Sequence, residues 1–119
     1  MNWYLTKLVF QIICGDGDHT PQFDEQLRLI SAHSKEEAFK KARQTGKKEE
    51  ETFYNSKQQL VQLQFINVSE MYKISELIDG AELYSRIEER DNAEAYIHIV
   101  NQKAENILFT QTHQLLQLA

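Results

Sequence analysis

The segment from Cys14 to Glu25, CGDGDHTPQFDE, concentrates residues that could bind a ligand or carry out chemistry. Carboxylates and an imidazole within one loop can exchange protons with a substrate or coordinate a cation. The residues of this kind that we select as candidate ligands are Asp16, Asp18, His19 and Asp24. A small enzyme, or a ligand- or metal-binding domain that uses this loop, is therefore one hypothesis for the function.

The spacing of the loop does not match known calcium or phosphate motifs. A calcium-binding EF-hand that begins at Asp16 needs glycine at its sixth position and glutamate at its twelfth, but the chain has Pro21 and Leu27 there. A dinucleotide-binding loop needs a third glycine and a helix directly after it. We therefore interpret the segment as a turn between two strands, with glycines that permit unusual backbone angles.

Cys14 and His19 raise two further possibilities, a transition-metal site and a nucleophile with its base. Zinc sites usually take a second ligand pair from elsewhere in the chain, and the other histidines have no paired spacing. Cys14 also ends an apolar strand, where cysteine usually acts as a small apolar residue. We accordingly predict no metal site, no cofactor and no catalytic residue.

A second candidate is the segment KKARQTGKK, whose five cations are Lys40, Lys41, Arg43, Lys47 and Lys48. Such a cluster could bind an acidic protein partner or a nucleic acid. Three glutamates follow at residues 49–51, and the net charge of the chain is -5, so binding to nucleic acid is disfavoured. Cations near a helix end also interact favourably with the helix dipole, which explains the cluster without any partner.

The candidate loop lies between two segments that alternate as β-strands do. In residues 3–13, Tyr4 and Leu8 lie on one side and Lys7 lies on the other. Residues 22–31 alternate in the same way. Because the loop between the two segments is short, we expect them to form an antiparallel hairpin.

The basic segment lies on a predicted helix. Ser34 and Glu37 have the spacing of a capping box, so the helix is expected to begin after Ser34. Gly46 is expected to end this helix, because glycine is common at helix ends. We interpret residues 47–54 as an interrupted continuation of the helix.

The second half of the chain repeats this order of elements. Residues 60–73 and 81–90 alternate as strands, and Asp79-Gly80 marks a turn between them. A second helix is expected to begin at Asp91, with an apolar face that runs through residues 93–108.

These elements predict an α+β fold, with an antiparallel four-stranded sheet in ββαββα order and the helices packed on one face. The length suits a single domain over residues 1–119. Residues 1–58 and 59–119 share similar caps and similar apolar spacing, which indicates a possible internal duplication.

Helices on one face leave the other face of the sheet uncovered. Trp3, Leu5, Val9 and Ile13 would lie on that second face, which would then be too apolar to remain in contact with water. A homodimer that packs sheet against sheet would cover it. The C-terminal leucines at residues 115–118 offer another cover.

Composition limits the compartment and the class of protein. The chain is 41% hydrophobic and 26% charged, as soluble globular proteins are. No apolar run approaches the roughly 20 residues of a membrane helix, so we predict no membrane association. One cysteine cannot form an internal disulfide, which suits the cytoplasm.

Several segments between residues 3 and 90 carry a family resemblance: MNWYLTKLVFQIICGDG, TPQFDEQLRLI, EEAFKKARQTGKKEEETFYN, VQLQFINVSEMYKI and DGAELYSRI. Together they resemble the bacterial domain-of-unknown-function family 4288. The resemblance implies a cytoplasmic bacterial protein without an assigned activity. Its motifs include no catalytic signature, so it transfers no site residues.

From these observations we predict a non-enzymatic, homodimeric binding or interaction module, which could take a protein partner through its basic segment. The alternative is a small enzyme or a ligand- or metal-binding domain that uses the acidic, glycine-rich loop of residues 14–25.

Overall fold

A computed structural model describes residues 1–109 of the chain. Its elements, in chain order, are β1 (Asn2–Cys14), β2 (Gln22–Ala32), α1 (Lys35–Lys48), β3 (Glu51–Tyr54), β4 (Leu60–Ile74) and α2 (Ala93–Asn106). The predicted α+β fold in ββαββα order is confirmed. The C-terminal leucines at residues 115–118 lie outside the described residues.

The four strands form one antiparallel sheet in the order β2-β1-β4-β3. β1 pairs with β2 over eleven residue pairs in one constant register, which confirms the predicted hairpin. The pairing of β1 with β4 shifts twice, between Lys7 and Leu8 and between Val9 and Phe10. These shifts are β-bulges, which increase the local twist of the strand that contains them.

The core of the first part of the chain lies between the sheet and α1, which contacts β1, β2 and β4. The alternate residues Tyr4, Thr6, Leu8 and Phe10 of β1 are all buried, which confirms the predicted alternation. Leu8 and Phe10 form a cluster with Phe65 of β4, whereas Tyr4 packs with small residues of α1.

α1 begins at the predicted N-cap, Ser34, but the Glu37 carboxylate bonds to His33, one residue before the N-cap position expected of a capping box. The Ser34 hydroxyl accepts a hydrogen bond from the amide of Glu37 at 3.1 Å. The Glu37 carboxylate accepts a hydrogen bond from the amide of His33 at 3.2 Å. Two amides that have no partner within the helix are satisfied in this way, so the helix start is determined locally.

The end of α1 differs from the prediction. Gly46 does not end the helix, because α1 continues to Lys48 and Glu49 is the C-cap. Gly46 is buried in the helix, and a Cβ atom at this position would overlap the Phe65 ring. The glycine is therefore required by close packing of α1 against β4.

The predicted strand at residues 60–73 is confirmed as β4, but the other strand of the second half does not lie where it was predicted. The helical interpretation of residues 47–54 holds for residues 47–48, which end α1, but is wrong for residues 51–54, because these form β3 and pair with the start of β4. The Asn55 side chain closes the turn to β4 by accepting hydrogen bonds from the amides of Lys57 and Gln59 at 2.9 and 3.0 Å. Residues 81–90 are not a strand, so this prediction is wrong as well.

The chain divides into two compact units, of which the first spans Met1–Ser85 and the second begins at Arg86. α2 belongs to the second unit and is capped by Asn92, one residue after the predicted Asp91; Asn92 accepts a hydrogen bond from the amide of Ala95 at 3.0 Å. No residue of α2 is buried, so the predicted buried face of this helix is wrong.

Neither described helix is long and apolar enough to cross a membrane. The single domain and the internal duplication stay predictions.

Candidate functional site

The hairpin loop between β1 and β2 is organised by its own residues. Gly15 and Gly17 have positive φ angles of 59° and 85°, which glycine adopts without steric strain. The Asp16 carboxylate accepts a hydrogen bond from the amide of Asp18 at 3.0 Å. Aspartate often forms this bond to the backbone two residues ahead of it in turns. The interpretation of this segment as a turn is confirmed.

His19 uses both ring nitrogens inside this loop. Its Nε2 accepts a hydrogen bond from the amide of Cys14 at 3.0 Å. Nδ1 must then carry the proton, and it donates to the carbonyl oxygen of Thr20 at 2.8 Å. The ring therefore fastens the end of β1 to the loop.

Asp24 lies on β2, opposite Phe10 of β1, and not in the turn. Its Oδ2 accepts a hydrogen bond from Nε2 of Gln26 at 2.7 Å, and Oε1 of Gln26 accepts two from the Arg28 guanidinium. Within residues 1–109, no three His, Cys, Asp or Glu side chains are grouped as a metal site. A ligand role stays a prediction for Asp16, Asp18, His19 and Asp24.

The outer surface of α1 gathers four of the five cations predicted to bind a partner. We call this surface the basic face. It forms a shallow depression of about 700 Å³, which is lined by Phe39, Lys40, Arg43, Gln44, Lys47 and Lys48. The fifth cation, Lys41, is directed at the sheet, where its Nζ donates a hydrogen bond to the carbonyl oxygen of Ser31 at 2.5 Å. Lys41 is therefore separated from the other four.

Two cations of the basic face have partners within the chain. The Arg43 guanidinium lies 5.8 Å from the ring centroid of Phe39, and Nζ of Lys47 lies 3.7 Å from the Glu50 carboxylate. Lys40 and Lys48 are exposed to solvent. The basic face thus presents cations beside a partly exposed aromatic ring, which can bind carboxylates and an apolar side chain together.

The sheet face opposite α1, which we call the open face, exposes an apolar strip along β2. Phe23, Leu27 and Leu29 form this strip, with 54%, 61% and 46% of their surface exposed. The register between β1 and β2 explains the exposure, because it places Asp24 and Arg28 opposite buried residues of β1. The polar residues of β2 therefore lie on the side of α1, and its apolar residues lie on the open face.

The rest of the open face is better covered. Leu5 and Ile74 lie on this face but are only 6% and 5% exposed. The Tyr84 ring contacts the ring of Tyr72 edge-on, with centroids 5.2 Å apart. Of the four β1 residues predicted to make this face apolar, only Trp3 is exposed. On the open face of β1 and β2, the exposed large apolar residues are therefore Trp3 and the three residues of the strip.

A charged cluster that spacing alone did not indicate lies on the open face. Nζ of Lys7 is 2.7 Å from the carboxylate of Glu70 and 3.7 Å from that of Glu25. The Tyr72 hydroxyl donates a hydrogen bond to Glu70 at 2.6 Å. The available signal was one lysine within an apolar alternation, but its partners come from other strands and cannot be found from local spacing.

Glu70 controls how the cluster responds to alkaline pH. Its hydrogen bonds raise the pKa of the Lys7 ammonium and the pKa of the Tyr72 phenol. Both groups hold their protons more tightly in the folded chain than in the unfolded chain. Their stabilisation is therefore complete below about pH 10 and is lost as the pH rises through the raised pKa values.

We expect the Glu70→Gln variant to lose less stability than the wild type when the pH rises from about 9 to about 12, because both raised pKa values return toward their ordinary range. Thermal unfolding at a series of pH values measures the difference. Glu76→Gln, which removes an exposed carboxylate, is the matched control and should follow the wild type. Equal alkaline losses in all three proteins would contradict this account.

The fold and these surfaces define a small α+β module whose first unit is a four-stranded sheet with one helix packed on it. The profile of the family called Domain of unknown function (DUF4288) matches residues 3–85. The chain belongs to this family, in agreement with the resemblance of its segments. Comparison with curated proteins and with solved structures finds no match.

Proposed function

We propose that this chain is a non-enzymatic binding module that acts as a homodimer. The hairpin loop supports a non-enzymatic role, because Asp16 and His19 are engaged in hydrogen bonds to the backbone of the turn. The single cysteine, Cys14, is half-buried at the end of β1. An unpaired cysteine is consistent with a reducing compartment, and we place the module in the cytoplasm.

The apolar strip on the open face carries the proposal of a homodimer. About half of the surface of Phe23, Leu27 and Leu29 is exposed in the single chain. Complete burial of such a side chain is worth about 1.5–3 kcal/mol relative to exposure. A second copy presents the same strip, so a two-fold axis beside β2 would bring both strips together.

Replacing Leu27 by aspartate is expected to convert the dimer into a monomer, because it would bury a charge within the strip. The matched control is Ile66→Asp, which changes another exposed apolar residue of the same sheet, on β4. Size-exclusion chromatography with light scattering measures both variants at one concentration. A dimeric Leu27→Asp variant, or equal dissociation of both variants, would remove the strip as the interface.

The basic face supports an acidic protein as the partner of the module. The chain carries a net charge of -5, yet four cations lie together on this one helix surface. Charge complementarity there favours a segment rich in carboxylates, and the exposed Phe39 ring favours an apolar anchor within that segment.

Reversal of two charges on the basic face is expected to weaken such binding by about tenfold or more, since each tenfold change requires only about 1.4 kcal/mol. The variant is Lys40→Glu with Lys48→Glu, and the control is Lys57→Glu with Lys73→Glu, which makes the same change of net charge elsewhere. Fluorescence anisotropy with a labelled peptide of glutamates around one phenylalanine reports the affinity. An equal loss in the control would show that net charge alone governs binding.

A further inference from the structure

β2 is a long, regular edge strand that contains charged residues but no proline and no bulge. It has one neighbour among the described strands, β1, and it pairs with that neighbour over eleven residues without a bulge. The segment Gln22–Ala32 contains neither proline nor lysine. Natural proteins usually shorten, bend or charge such an edge. The opposite edge strand, β3, is only four residues long.

We propose that β2 pairs antiparallel with β2 of a second copy, with Gln26 opposite Gln26 on a two-fold axis perpendicular to the sheet. The two four-stranded sheets then form one continuous sheet of eight strands. This inference rests on the proposed homodimer and specifies its interface. It also places the two apolar strips side by side on the open face, so that each shields the flank of the other that faces the axis.

The charges on the α1 side of β2 fit this register. With Gln26 at the centre, Asp24 lies opposite Arg28 of the second copy, and the symmetry repeats the pair. Among residues 1–109, Asp24 has no cation within ion-pair distance, and its Oδ1 is shielded from solvent without a hydrogen-bond partner. Opposite charges that face each other across two strands stabilise the pairing. The second copy thus brings Asp24 a guanidinium that, within its own chain, lies 3.5 Å from the Glu49 carboxylate.

The apolar strip fits the same register on the open face. Phe23 lies opposite Leu29 of the second copy, an aromatic-aliphatic pair of the kind that stabilises neighbouring strands. Glu25 lies opposite Leu27 and can keep its contact with Lys7, whose Nζ is on the β1 side. No two like charges face each other.

Neighbouring registers are less favourable. Centring the pairing on Asp24, Glu25 or Arg28 places identical charges directly opposite each other, which is destabilising. Centring it on Leu27 places the Asp24 carboxylate opposite Ile30, which is buried against α1 in each chain. Among these five registers, the one centred on Gln26 alone pairs opposite charges.

A cysteine at the axis tests this geometry in the full chain. In a Cys14→Ser background, Gln26→Cys is expected to form a disulfide between two chains under mild oxidation, because residues directly opposite each other are within disulfide range. Ser31→Cys is the matched control, since it lies on the same strand with similar burial but far from its own copy in this register. Non-reducing electrophoresis should show covalent dimer for Gln26→Cys and little for Ser31→Cys.

A charge swap provides an independent measurement. Asp24→Arg and Arg28→Asp, made singly, place like charges across the axis and should each raise the dimer dissociation constant by at least about tenfold. The two changes in one chain restore opposite charges and should recover much of the affinity. Circular dichroism identifies any variant that does not fold; in that case the cross-linking of Gln26→Cys alone decides whether the register is correct.

A wild-type dimer that shows no preference for cross-linking at Gln26 would overturn this interface and leave the homodimer itself standing, whereas a wild-type monomer would overturn both.

Discussion

The Gly46→Ala variant is expected to unfold more easily than the wild type, although alanine favours helix over glycine by about 1 kcal/mol. A Cβ atom at Gly46 would lie 2.6 Å from Cζ of Phe65 and closer still to Cδ1 and Cε1 of the ring. The ring cannot move away freely, since it packs on Phe10 with a centroid distance of 5.5 Å. Overpacking of this kind costs about 1–3 kcal/mol and typically exceeds the gain in helix propensity.

The control for this prediction is a variant that lacks the Phe65 ring. In a Phe65→Leu background the overlap is relieved, so Gly46→Ala should become neutral or stabilising by up to about 1 kcal/mol. Urea unfolding at a single chain concentration gives the free energies for the complete cycle. If alanine had the same effect in both backgrounds, the close approach of α1 to β4 would not be the reason for the glycine.

The Phe10→Ala variant is expected to lower the free energy of unfolding by about 3–5 kcal/mol, as large-to-small changes of buried aromatic residues do. Phe10 is 0% exposed and lies in the cluster with Leu8 and Phe65. Its loss would leave a cavity between the sheet and α1 and would also remove the tilted ring contact with Phe65, since such pairs contribute beyond burial alone.

Tyr54→Ala is the control, because it also removes an aromatic ring but at a position that is 69% exposed on β3. Its effect should stay within about 1 kcal/mol, as surface changes usually do. Denaturant titrations of the two variants at equal concentration compare them. Similar losses in the two variants would mean that the core does not lie where Phe10 is placed.

The features that the sequence predicted correctly are those determined by local chemistry. The alternation of β1 and β2 and the N-cap at Ser34 depend on neighbouring residues, and the turn at Gly15 depends on its own backbone angles. Such signals remain valid in any tertiary context that leaves the segment folded.

The predictions that proved wrong concern segments whose structure depends on residues far away in the sequence. Residues 81–90 alternate as a strand does, but a strand needs a neighbouring strand, and these residues have none among the described strands. Residues 51–54 follow a charged run of high helix propensity, yet the turn closed by Asn55 pairs them with β4. Gly46 was predicted to end the helix because the sequence near it gives no sign of the Phe65 ring, whose close packing is the reason for a glycine at this position.

The same distinction between local and distant determinants applies to the candidate sites. The sequence located the cations of the basic face, because a helix places them on one side at a known spacing. It did not predict the Lys7–Glu70 pair or show which face of β2 meets α1, since both depend on strand register. Register relates residues of different strands and has no signal within either strand alone.

The proposed homodimer is the claim on which the binding module depends, and the molar mass of the wild-type chain in solution tests it most directly. Size-exclusion chromatography with light scattering should be run over a range of concentrations at moderate salt. We expect twice the mass of one chain, with dissociation only on strong dilution. The mass of a single chain at every concentration, up to the highest that remains soluble, would contradict the account.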